Sequence, residues 1–160
     1  LAGEQVPGEA LAESAAALAR AAGGVPFYIQ HLVRLAQRRN RPLVPADADG
    51  LLEELFLDPH EAADFRHFEK RLSTYYGQPG ARHSAMILDA LARSAKPVSL
   101  RGIRPAVPLE ECADERLKDL LLSLLQDHYL TRARVEGQIV YQFRYEVIRR
   151  WWVFDRELAA

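Results

Sequence analysis

Four groupings in this chain contain the residue types that chemistry requires. His60, Asp64 and His67 recur at i, i+4 and i+7. One helical face would then offer two imidazoles and a carboxylate, donors suited to a zinc-type ion. No second cluster completes the coordination, so no metal ligand is assigned. Ser84, His83 and Asp89 include a nucleophile, a base and an acid, but lack the strand–turn–helix elbow that presents a catalytic serine. Cys112, the only cysteine, sits among Glu110, Glu111 and Asp114, a setting opposed to a thiolate nucleophile. No catalytic residue is assigned, and His31, His83 and His128 read as cap, core or surface histidines. The fourth grouping is Gly23-Gly24-Val25-Pro26-Phe27-Tyr28. Glycine lets backbone approach a ligand without a Cβ in the way, and a helix opening at Pro26 presents free N–H groups. No Gly-x-x-x-x-Gly-Lys-Ser/Thr loop occurs, and nothing reads as an acidic strand for magnesium.

The 160 residues suit one ordinary domain or two small ones with a real core. A formal net charge of −1 argues against a chain that binds nucleic acid by bulk electrostatics. The first half leans acidic and the second is only mildly basic. A single cysteine excludes an intramolecular disulfide framework and a cysteine-rich zinc site. No stretch reaches the length of a membrane span and no signal-peptide pattern opens the chain, so no membrane role and a cytoplasmic setting are expected. The start at Leu1 rather than Met points to an excised or processed fragment.

The elements that must position these groups follow from periodicity. Glu9 to Ala22 is an alanine-rich helix that Gly23 ends as a C-terminal cap. Pro26 opens a second helix, with Phe27, Leu32, Val33 and Leu35 expected on its apolar stripe. The basic run Arg38-Arg39-Asn40-Arg41 closes that helix, where cations complement its dipole. Pro42 and Pro45 mark a loop. Asp47 is expected to N-cap a short helix through Leu51, Leu52, Leu55 and Phe56, which Asp58-Pro59 breaks. A fourth helix is expected from His60 to about Tyr75, with Phe65, Phe68 and Leu72 inward. Gly77-Gln78-Pro79-Gly80 then marks a boundary.

Beyond it, Ala81 to Ala95 reads as a helix with Met86, Ile87, Leu88, Leu91 and Ala92 inward. Pro97-Val98-Ser99-Leu100 allows a stub of strand, and Leu100 to Val107 a brief helix. Asp114 to Asp127 is a strong helix with Leu117, Leu120, Leu121, Leu124 and Leu125 on one stripe. Tyr129 to Val135 and Gln138 to Arg144 flank Glu136-Gly137, a hairpin signal. A last helix, from about Glu146 to Leu158, carries Trp151 and Trp152. Anchored on one side by the hairpin, two adjacent tryptophans cannot both face that core. One is therefore expected to point outward, toward another part of the parent protein.

This order resembles the tail of a STAND/AAA+ type prokaryotic ATPase, a helical lid followed by a winged helix. Three features carry the resemblance: the Gly23-Gly24-Val25-Pro26-Phe27-Tyr28 corner; Tyr75-Tyr76-Gly77 leading to Ile87-Leu88-Asp89-Ala90-Leu91-Ala92; and Tyr141-Gln142-Phe143-Arg144 with Arg149-Arg150-Trp151-Trp152. Such a resemblance implies that Gly23, Gly24 and Pro26 lie against the adenine of ATP or ADP in the intact parent protein. It implies a missing N-terminal ATPase core in cis, no cofactor on the fragment alone, and a regulatory rather than catalytic role. Arg20, Arg34 and Arg38 lie near the corner, and none is assigned to a phosphate. The expected fold is mainly α: a helical lid-like bundle over residues 1–76, then a winged helix-turn-helix with one β-hairpin over 77–160.

Two other readings stay open, a winged-helix DNA-binding or transcription-regulatory module and a helical protein-interaction domain without ligand. The outward side of Asp114–Asp127 carries Glu115, Lys118, Asp119, Leu122, Gln126 and Asp127, so its charges cancel, its acidic groups would face phosphates, and an exposed leucine fits a protein partner or self-association better than a groove. Arg132 and Arg134 should share a hairpin face with Tyr141 and Ile139. There they could contact DNA or a partner, although stacking on Tyr141 is the preferred expectation.

Overall fold

The computed structural model describes residues 8–41, 44–60 and 63–158. Those residues form a mainly α fold with eight helices and one small three-stranded antiparallel sheet, as the periodicity predicted. They divide into two compact units, 1–63 and 64–160.

In the first unit, α1 (Gly8–Ala21) ends where Gly23 takes a left-handed φ of 61°. The Gly24 N–H donates back to the Ala19 carbonyl (2.7 Å) and Gly23 N–H to that of Arg20 (3.0 Å). This paired closure satisfies carbonyls that a helix end leaves open. Helix α2 (Pro26–Arg38) follows at once, with proline in its first turn. A 3-10 turn, Pro45–Asp47, leads into α3 (Ala48–Leu57). Asp47 precedes α3 as expected, yet its side chain makes no capping bond, because the 3-10 turn already holds it in a helical conformation. Leu18, Leu32, Leu35, Leu51, Leu52 and Leu55 make the core. The α2 stripe is rotated from the expected one: Tyr28 is buried with Leu32, Leu35 and Ala36, while Phe27 is 49% exposed. The basic run at its end is tied down, since Arg39 and Arg41 both reach Glu54 of α3. Pro42 lies outside the described residues.

The second unit opens with α4 (Ala63–Tyr75), after an Asp58 side chain that accepts the His60 N–H (2.9 Å). Compactness thus divides the chain one helix before the turn at residues 77–80. Helix α5 (Gly80–Arg93), β1 (Val98–Ser99), α6 (Leu100–Ile103), α7 (Asp114–Gln126), β2 (Leu130–Val135), β3 (Gln138–Phe143) and α8 (Glu146–Asp155) complete it. Strand β3 is central, with β1 on one edge and β2 on the other. Glu136 and Gly137 both have positive φ, the two-residue turn whose twist matches a hairpin. Along α5, His83 and Ser84 are buried, whereas Met86 is only partly so. On α7, Leu117, Leu120, Leu121 and Leu124 are buried, and Leu125 is half-covered.

The tryptophan pair corrects the expectation that one ring would face outward. Both are buried, at 1% and 0% exposure. Trp152 lies near Phe143 of the hairpin, while Trp151 stacks on Phe65 of α4 at 6.0 Å between ring centres. The hairpin is one neighbour of α8. A second arrives from α4, so each ring has its own wall. The Trp152 Nε1–H donates to Asp89 of α5 (2.8 Å), and Arg156 grips the same carboxylate through Nε (2.6 Å) and Nη2 (3.0 Å). Arg149 donates from Nη1 to the Ala92 carbonyl near the end of α5 (2.7 Å).

Candidate functional site

Two surfaces hold the residues singled out from the sequence, one in each unit. The first is the corner between α1 and α2. Gly23 and Gly24 have φ of 61° and 73°, and a Cβ added at Gly24 would meet nothing within 4 Å. Gly24 and Pro26 are exposed, and Gly23 is half-exposed. Phe27 packs edge-on against His31, with ring centres 4.4 Å apart. The three residues expected against a purine therefore lie together at the surface, beside an exposed aromatic ring and at the first turn of a helix.

The second surface is a cleft of about 600 Å³ between α6, α7 and the hairpin. Its position follows from strand register. Leu130 pairs with Phe143, Arg132 with Tyr141 and Arg134 with Ile139, so alternation puts all six on one face. At the base of the hairpin that face is core: Leu130 and Phe143 are buried. Further out it opens, through Tyr141 at 8% exposure to Ile139 at 45%. Lys118 and Leu122 close the cleft from α7, and Ser99, Leu100 and Arg101 close it from the β1–α6 corner. That corner is tight, since Ser99 Oγ accepts the Gly102 N–H (3.3 Å) and a Cβ at Gly102 would lie 2.6 Å from Val98.

Leu122 and Arg132 thus meet in one cleft, as neither does with Arg134, which sits nearer the turn and outside the lining. The expected stacking of these arginines on Tyr141 is not what forms. Arginines do lie over other rings, Arg144 over Tyr145 and Arg156 over Trp152. Arg101 was missed because it lies on a short helix with no periodicity to orient it. Pairing of β1 with β3, Val98 opposite Tyr141, is what brings it to the cleft.

The remaining candidates go elsewhere. Ser84, His83 and Asp89 do not assemble: Ser84 Oγ is buried without a partner, His83 faces Glu111 at 3.3 Å, and Asp89 is held by Trp152 and Arg156. Burial lowers the His83 pKa, as do the nearby charges of Arg82 and Arg116. Arg82 also pairs with Glu111, which blunts the pull of that carboxylate on the imidazole. Tyr76 donates to Asp127 (2.6 Å), and burial and that bond raise its pKa. Burial pushes Tyr129 up to about 12, and its hydroxyl donates to the Phe68 carbonyl. Both phenols stay protonated and act as clasps. Cys112 is fully buried. His60 and His67 are exposed, the Asp64 side chain lies outside the described residues, and among the described residues no three His, Cys, Asp or Glu gather as metal ligands. Nor is any described helix long and apolar enough to cross a membrane.

Comparison with family models, with curated proteins and with solved structures gave no match. The geometry of the two surfaces is therefore what any functional reading must rest on.

Proposed function

We propose that this chain is the regulatory part of a STAND/AAA+ type ATPase. Helices α1–α3 act as a lid over ATP or ADP held by a P-loop core in cis. The α5–α8 region with its sheet acts as a winged helix that relays the nucleotide state by rigid-body motion. Gly23, Gly24 and Pro26 form one wall of the purine pocket, and the phosphate chemistry belongs to the core.

One observation supports this most. Helices α2, α7 and α8 close with the same pair of hydrogen bonds as α1, and each uses a single left-handed residue: Asn40, His128 and Glu157. The α1 end uses two, Gly23 and Gly24. The second is surplus to ending a helix, and it is exposed with open space where its Cβ would be. A backbone bared at the surface beside a helix N-terminus is what a flat heteroaromatic ligand needs for close approach.

The test is a titration of the parent protein with a fluorescent ADP analogue. Combining Gly24→Ala with Pro26→Ala should weaken nucleotide affinity about tenfold, while the circular dichroism spectrum stays the same. Unchanged affinity, or a parent reading frame without a Walker-type loop, would overturn the reading.

A further inference from the structure

We infer that the cleft between α6, α7 and the outer half of the hairpin docks an acidic amphipathic peptide segment, one carrying a large apolar side chain flanked by carboxylates. The inference does not depend on the nucleotide corner, and either can fail alone.

The floor of the cleft is apolar. Leu122 and Ile139 lie open to solvent at 44% and 45%, beside Leu100 and the Tyr141 ring. The volume accommodates a few side chains, not a folded domain. Around that floor stand Arg101, Lys118 and Arg132, each from a different element, and no carboxylate lines the cleft. None of the three makes an ion pair among the described residues. Elsewhere in the same unit four arginines do meet carboxylates: Arg82 pairs with Glu111, Arg104 with Asp114, Arg149 with Glu146 and Arg156 with Asp89. Three cations from three elements therefore stand without carboxylates around one apolar slot. The missing partner should bring both the carboxylates and the apolar side chain.

Duplex nucleic acid fits this surface less well. It presents a charge about every 1.7 Å along its axis and rewards a broad cationic face. Here Glu115 and Asp119, exposed on α7, interrupt any such face. A duplex would also leave Leu122 and Ile139 wet. A peptide can set a few carboxylates at three points and bury its apolar side chain between them.

The experiment is fluorescence anisotropy on the whole chain with three labelled probes. One is a short peptide alternating leucine or phenylalanine with aspartate or glutamate. The second is the same peptide with lysine at every acidic position, and the third is a short duplex DNA. The acidic peptide should saturate and bind at least about tenfold more tightly than the other two. Combining Lys118→Glu with Arg132→Glu should weaken it at least about tenfold. Leu122→Ser should weaken it without altering its salt dependence, and Arg93→Glu, away from the cleft on α5, should change it less than about twofold. These positions are exposed, and tryptophan emission reports whether each variant is folded. Equal binding of the basic peptide, no saturable binding of the acidic one, or tighter cleft-dependent binding of DNA would each overturn the inference. So would sedimentation showing that the cleft variants disrupt a dimer of this chain.

Discussion

The junction around Trp151 and Trp152 and the cleft beside Leu122 are built from the same materials, apolar side chains flanked by cations. At the junction every group finds a match. Phe65 covers one ring, Asp89 accepts the Trp152 N–H, and Arg156 neutralises Asp89 while lying 5.2 Å above the Trp152 ring. In the cleft, Leu122 and Ile139 remain uncovered, and the surrounding cations lack carboxylates. The difference is one of layers. Helix α4 arrives to cover α8, whereas the outer half of the hairpin extends past the helices that bury its base. A fold able to finish one apolar surface so completely makes the unfinished one informative.

The widest separation between the two regions should come from truncating a ring. Trp152→Ala removes a fully buried side chain and strands the Asp89 pairing, so the second unit should lose about 3–5 kcal/mol. Urea unfolding followed by Trp151 emission would measure it, and a loss below about 1 kcal/mol would mean the junction is no better packed than the cleft.

A smaller effect should appear with pH. The folded-state pKa of His83 lies below its unfolded value of about 6.5, so the unfolded chain binds more protons in that window. Stability should therefore fall as pH drops below about 6.5 and be retained above it. His83→Gln should flatten that part of the profile; an unchanged slope would show that the imidazole is not held neutral.

Least affected should be the cleft itself. Leu122→Ser together with Ile139→Thr should shift stability by no more than about 0.5 kcal/mol, since neither side chain is buried. Loss of more than about 2 kcal/mol would show the cleft to be core, and the contrast would collapse.

Much of the architecture was legible from periodicity. Leucines of α7 at helical spacing, Glu136-Gly137 between alternating runs, and Gly23 after an alanine-rich helix each state a local preference that the fold keeps. Long-range partners were not legible. Nothing near Trp151 announces Phe65, and nothing in Phe27-Tyr28 says which ring turns inward, because both choices suit an amphipathic helix. The cleft was half-visible: hairpin register linked Arg132 to Tyr141, but Arg101 joins only through a two-residue strand too short to carry a pattern. The left-handed residues that close three other helices were not legible, for a different reason. Those helices close on Asn40, His128 and Glu157, side chains that do not advertise a left-handed backbone as glycine does.

Those three residues also mark where the molecule can be hardened. Each holds a conformation in which a Cβ crowds the backbone, at roughly 1–2 kcal/mol apiece. The chain therefore keeps a reserve of recoverable thermostability at residues that belong neither to the glycine corner nor to the lining of the cleft. An engineer wishing to stiffen the scaffold before probing either surface could draw on that reserve first.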